Sequence, residues 1–209
     1  MARHFRMTVY DLLPTAQLRL TAGHLAFAFA QSGEAQVGGQ RFGVGDVRFV
    51  QPGDEIATSG CVWLFEVAPG NAAVRMEPGL SPVLSRLAAA PDEDLMLRAD
   101  RVESADGART PAHRHRGPGI RRLLQGLLLA DVGEQLDRIG PGEAWFESGN
   151  EAVVGTNISG GTNAFIRVMI LPTTLSGGQS SFIPMSTEEA AKPRAATIRL
   201  FGEVPVLRC

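Results

Sequence analysis

Apolar residues in this chain come in runs of about five to seven, closed at short intervals by glycine or proline. That is the rhythm of short strands separated by turns rather than of helices, whose apolar positions recur every three to four residues. The predicted strands are Leu25–Ala30, Ala35–Val37, Val47–Val50, Val62–Val67, Met96–Val102, Ile120–Leu124, Leu127–Ala130, Gln135–Ile139, Ala152–Thr156, Phe165–Leu171 and Ile198–Phe201. The β-branched Val153, Val154, Ile166 and Val168 suit a pleated, half-buried surface.

Two helices are predicted. Ser81 as N-cap and Pro82 at the first helical position open one that runs to about Ala90 and stops before Pro91. A shorter one starts at Ser186 or Thr187, with Glu188 and Glu189 in its first turn and Lys192-Pro193 at its end. The first reads as a connector between two β units. The expected layout is a β domain at 1–80, a helical connector at 81–94, a second β domain at 95–175, and an extension at 176–209 with a short helix and a strand.

The two β units resemble each other. Phe27-Ala-Phe-Ala-Gln-Ser-Gly33 matches Arg121-Arg-Leu-Leu-Gln-Gly126, an apolar strand ending in glutamine and a turn glycine. Val44-Gly-Asp-Val-Arg-Phe49 matches Pro141-Gly-Glu-Ala-Trp-Phe146, and Leu64-Phe-Glu-Val-Ala-Pro69 matches Val168-Met-Ile-Leu-Pro172. The offsets drift by a few residues, as loops of unequal length produce between preserved strands. A duplication is the reading.

Bulk properties narrow the function classes. The 209 residues are 44% hydrophobic and 20% charged with a net charge of -2, ordinary for a soluble chain able to bury a core. Basic residues are scattered, which argues against nucleic acid as a partner. No run reaches the roughly 18 apolar residues that span a bilayer, and the first residues lack a secretory apolar stretch. Cys61 and Cys209 read as a buried and a free thiol. A cytoplasmic location is expected.

Chemistry concentrates in Gly107-Ala-Arg-Thr-Pro-Ala-His113-Arg-His115-Arg-Gly-Pro-Gly119-Ile-Arg-Arg-Leu-Leu-Gln-Gly126. Two histidines at i and i+2 on a strand project to one face. They read either as a pair able to hold one cation or as two hydrogen-bonded histidines. Counted in twos from Gly119, Arg121 points inward, where a guanidinium can hold a carboxylate or phosphate. Arg167 on the last strand has the same reading. Each also reads as a solvent-facing arginine. Trp145, Phe146, Phe165 and Met169 either line a cavity or fill a core.

The segment resembles the first motif of the cupin superfamily, with Gly107, His113, His115 and Gly126 in register. Gly119, or Ile120 if one residue more is allowed, stands where that motif has a glutamate. The stretch from Gly142 to Asn157 is similar to the second motif, but Ala152 or Val153 replaces its histidine. The resemblance implies an all-β chain of two tandem cupin (jelly-roll) domains, with two of the family's four metal ligands kept in the second. In the first, Leu20, Ala22, Ala26 and Ile56 take the ligand positions and His24 falls out of phase, so no metal is expected there. In the second, Glu147, Glu151 and Asn157 lie on the segment that normally supplies the third histidine, and a carboxylate can serve as an oxygen ligand.

Three functions follow. The first is a small-molecule binder with its pocket around His113 and His115, lined by Arg121, Trp145, Phe146, Asn157, Phe165 and Arg167; the ligand expected is a carboxylate. The second is an enzyme using one divalent ion (Zn, Fe, Ni or Mn) on His113 and His115 with Glu147 or Glu151, similar to cupin dioxygenases or isomerases. The third is a non-catalytic assembly or regulatory protein. A homodimer is expected because such half-barrels expose strand edges.

Overall fold

The computed structural model describes residues 2–206, and strands dominate it. Contacts divide the chain after Asp92 into two compact units. The first holds β1 (Arg3–Leu12), β2 (Gln17–Arg19), β3 (Leu25–Ala30), β4 (Ala35–Val37), β5 (Gln40–Phe42), β6 (Val47–Val50), β7 (Glu55–Thr58), β8 (Val62–Pro69) and β9 (Leu80–Ala90). The second holds β10 (Leu95–Ser104), β11 (His113–His115), β12 (Gly119–Gln125), β13 (Leu128–Val132), β14 (Gln135–Ile139), β15 (Ala144–Glu147), β16 (Val153–Asn157), β17 (Asn163–Pro172), β18 (Phe182–Pro184) and β19 (Thr197–Val206). The helix α1 (Thr187–Ala191) lies between β18 and β19.

Each unit is two sheets, and the strand orders correspond. The first has β6-β3-β8-β1-β9 beside β2-β7-β4-β5; the second has β15-β12-β17-β10-β19 beside β14-β13-β16-β11-β18. One order becomes the other on adding nine to each strand number, apart from the edge strand β9 (answered by β19) and the extra β18. The expected duplication is therefore present in the topology. Its glutamine–glycine turns have a shared cause. Gly33 and Gly126 both have positive φ, and a Cβ on either would come within 2.8 Å of backbone across the turn. Only glycine fits in both places.

The predicted helix at Ser81–Ala90 is corrected: the segment is strand β9, antiparallel to β1 from Leu12↔Leu80 to Arg3↔Ala90. The N-terminal ten residues, not anticipated as a strand, offer β9 a row of backbone groups. Those inter-strand hydrogen bonds override the local capping signal. Pro82 is tolerated because β9 is the last strand of its sheet. The second predicted helix is present as α1, with the Ser186 side chain accepting the Glu189 N–H at 3.1 Å.

The interior of the first unit is apolar. Three of the four residues at its ligand positions, Leu20, Ala26 and Ile56, belong to one buried core with Leu12, Val50 and Leu64, while Ala22 is exposed. At its edge Glu66 accepts from Tyr10 Oη (3.2 Å) and Arg75 Nη1 (3.2 Å) and lies 3.1 Å from His24 Nδ1. Burial, first of all, pushes the Tyr10 phenol up to about 12. Cys61 is half-buried, its sulfur 3.6 Å from Asp11 Oδ1; Cys209 lies outside the described residues.

Candidate functional site

The second unit encloses a cavity of about 290 Å³, and strand alternation decides what faces it. In β11 His113 and His115 are buried while Arg114 between them is exposed. The sequence expectation of two imidazoles on one inward face is met. Across the facing sheet the register sets Trp145, Arg121, Arg167 and Asp100 in one row, since Arg121 pairs with both Trp145 and Arg167, and Arg167 with Asp100. The neighbouring row carries Glu147 and Gly119, which are also cross-strand partners.

The inward cations of the facing sheet, Arg121 and Arg167, each have a carboxylate. Arg167 forms a bidentate pair with Asp100, Nε to Oδ1 at 2.9 Å and Nη2 to Oδ2 at 2.8 Å. Burial opposes its charge, yet Asp100 leaves the Arg167 guanidinium held above its ordinary pKa. Arg121, 1% exposed, donates from Nη1 to the Gly119 carbonyl at 2.6 Å and sets Nη2 2.6 Å from Glu147 Oε2. Burial pulls Arg121 down to about 10, against the counter-charge of Glu147. Glu147 also accepts from Trp145 Nε1 at 3.0 Å. Burial alone would raise its carboxyl; Arg121, His115 and Trp145 together hold it well below the usual range.

Burial favours the neutral form of both histidines, and the partner of His113 identifies its tautomer. His113 Nδ1 lies 2.8 Å from the Pro111 carbonyl, which can only accept, so Nδ1 carries the proton and Nε2 the lone pair. His115 Nε2 lies 3.3 Å from Glu147 Oε2, and its Nδ1 lies 3.1 Å from Ser181 Oγ. Burial lowers the pKa of both and pushes His115 down to about 4 despite Glu147.

The chain beyond β17 closes one side. Arg98 ties it down, donating to the Gln179 carbonyl (2.7 Å), to the Leu175 carbonyl and to Glu203 Oε1 (2.7 Å). Strand β18 pairs with β11, and Phe182 stacks on the His113 ring at 4.4 Å between centroids. Arg194 covers Phe182 at 4.6 Å and donates to Ser180 Oγ. Asp100, Ser181, Phe182, Arg98 and Arg194 were not anticipated. Asp100 was within reach, because alternation along β10 points it inward with Arg98; the path of the extension has no local signal.

Of the expected lining residues, Arg121, Trp145, Phe165, Arg167, His113 and His115 meet at the cavity with Glu147. Three are corrected. Phe146 is on the opposite face of β15 from Trp145 and Glu147. Asn157 is spent on the backbone, donating to the Ser104, Ala105 and Gly161 carbonyls and accepting from the Ser159 N–H. Glu151 is a turn acid that accepts from the Ser148 N–H at 3.1 Å.

The donors do not fit a divalent metal as they stand. Among the described residues no three His, Cys, Asp or Glu groups converge as ligands. Val153, one of the two residues expected at the position of the missing histidine, pairs with His113 and offers no ligand. Glu147, the carboxylate within reach of His115, is already paired with a guanidinium. A second positive charge in that dry interior is opposed by the first.

No protein-family model matches the chain, and no curated protein does. Solved structures are similar. The oxalate decarboxylase of Lactobacillus farciminis, solved as a formate complex, has 14% identity over 91% of this chain and 82% of its own, with a TM-score of 0.61. The oxalate decarboxylase of Bacillus subtilis, studied for its Mn(II) centres, has 11% identity over 91% and 74%, with a TM-score of 0.60. The cupin 2 conserved barrel domain protein of Leptotrichia buccalis has 14% identity over 81% and 87%, with a TM-score of 0.50. At such identities the likeness speaks for architecture alone. In architecture the chain is all-β, with a jelly-roll fold similar to that of these cupin-fold structures.

Proposed function

We propose that the second barrel binds a small organic acid with an apolar body, using arginines where many cupins use a metal. The supporting observation is the charge balance of the wall. Arg98, Arg121 and Arg167 each have a carboxylate partner, whereas Arg194, an exposed residue of the lining, meets the Phe182 ring and the Ser180 hydroxyl and, among the described residues, no carboxylate. With both imidazoles neutral, the cavity keeps a surplus positive charge. Its remaining wall is largely apolar and aromatic, including Leu128, Ala130, Trp145, Val153 and Phe165. A few directed polar groups in an apolar hollow are the usual make-up of a small-ligand site.

The test is a thermal-shift screen of the full chain with benzoate, phenylacetate, pyruvate, formate and oxalate beside their amides or alcohols. Oxalate and formate are included because solved neighbours are oxalate decarboxylases. At least one acid should raise Tm in a saturable manner, as a ligand specific for the native state must. Arg194→Gln should weaken it about tenfold, the scale of one charge-assisted hydrogen bond. Equal shifts from acid and amide, or none from any acid, would remove the support for this reading.

A further inference from the structure

We propose that the pocket of the second unit selects aromatic hydroxy acids, whose hydroxyl donates to His113 Nε2 and accepts from Arg167 Nη1. The inference rests on the organic-acid reading for the carboxylate and names what the other end of that ligand must carry.

His113 is a fixed acceptor. Its Nδ1 lies 2.8 Å from the Pro111 carbonyl, which can only accept, so Nε2 holds a lone pair and no proton. The residue is 6% exposed, and Nε2 has no hydrogen-bond partner among the described residues. With Nδ1 turned to its own strand and Phe182 over the ring, Nε2 is the polar atom this side chain presents to the cavity. Arg167 has donors to spare. Asp100 takes its Nε and Nη2, and Nη1 with its two N–H groups has no hydrogen-bond partner among the described residues. Arg121 differs: its Nη1 is spent on Gly119, and its Nη2 faces Glu147 in a sealed interior. His113 on β11 and Arg167 on β17 belong to the two facing sheets and line one cavity. Burial first, then Arg121 and Arg167, hold the His113 pKa down, so the Arg167 charge reaches this imidazole.

The chemistry of the ligand follows from this pair. A carboxylate answers Arg167 but has no proton for His113. An ammonium answers His113 but is repelled by the guanidinium. A hydroxyl answers both with one atom, having one donor and two acceptor lone pairs. The carboxylate then lies toward Arg194. The Phe182 ring is 4.4 Å from the His113 ring and 4.6 Å from Arg194 Cζ, so the two ends of the site are one aromatic ring apart. Between them an aromatic body suits Trp145 and Phe165, whose rings are 5.0 Å apart and inclined at 68°.

Calorimetric titration of the full chain with 3- and 4-hydroxyphenylacetate, their methyl ethers and phenylacetate, and with the uncharged pair 4-ethylphenol and 4-ethylanisole, tests this. The better hydroxy acid should bind at least about tenfold tighter than its ether, the scale of one hydrogen bond to a charged partner. The 15N resonance of His113 Nε2 should move upfield with the hydroxy acid and not with the ether. His113→Phe, which keeps a ring against Phe182, should erase the preference, and His113→Gln, whose amide carbonyl accepts, should recover part of it. Should His113→Phe fail to fold, Arg167→Lys serves instead, because it keeps a charge for Asp100 and removes Nη1; it too should erase the preference. Equal affinity for hydroxy acid, ether and phenylacetate overturns the proposal and leaves the organic-acid reading standing. Binding of none of these compounds overturns both. A phenol favoured over its ether with no gain from a carboxylate supports the hydroxyl contact and removes the organic-acid reading.

Discussion

A neutral histidine pressed against an ionised glutamate is unusual enough to have consequences of its own. Burial pushes the folded pKa of His115 down to about 4, while the unfolded chain titrates near 6.5. Between those values the unfolded state holds more protons, so stability is fully present above about pH 6.5 and drains away as pH falls toward 4. The loss is on the order of 3 kcal/mol. Glu147, whose folded pKa is depressed, adds a loss of the same sign below the ordinary glutamate range. Urea melts of wild type and His115→Gln from pH 7 to 4 should show the variant losing less; parallel curves would contradict the assignment. At Asp100, Asp100→Ala strands a buried Arg167 and should cost about 3–5 kcal/mol in the same assay, Asp100→Asn less. The inward histidines and arginines were legible from alternation along single strands. Glu147 was visible only as a candidate metal ligand, because its true partner Arg121 comes from a neighbouring strand.

Among the elements, β9 shows where local reading fails. Ser81-Pro82 followed by Val83, Leu84, Leu87 and alanines is a sound helical start, yet ten residues of β1 claim the segment. A synthetic peptide of residues 78–92 should therefore gain helix in trifluoroethanol by far-UV circular dichroism, although the same residues are strand in the protein; a peptide that stays coil would show that the capping signal was empty. The strands found at their predicted bounds, such as β3, β4, β6 and β14, are closed by turn residues that no partner can override. The stretch from Ser176 to β18 is the opposite case. It is held by side chains, chiefly Arg98, on two carbonyls and Glu203. Arg98→Met should speed amide exchange at Gly177–Phe182 about tenfold or more while leaving β10 and β17 protected. Unchanged exchange there would mean that β18 pairing alone secures it.

At the scale of the molecule, one topology has been used twice with different fillings. Leu20, Ala26 and Ile56 close the first interior, while His113, His115, Arg121 and Val153 line the hollow of the second. That asymmetry was readable from side-chain identity once the repeat was aligned. Oligomeric state is a separate matter. β9 and β19 end their sheets with 11 and 10 residues, and Leu87, Ile198 and Leu200 on them are exposed. Long apolar edges favour pairing with a second chain, so sedimentation equilibrium at micromolar concentration should return a dimer; a monomer throughout would place the burden on edge charge instead. The pairing of Arg121 with Glu147 has a broader implication. A positive group that is part of the polypeptide cannot be stripped by a chelator, oxidised, or exchanged for the wrong element. The charge that Arg121 brings to the second barrel is fixed at translation.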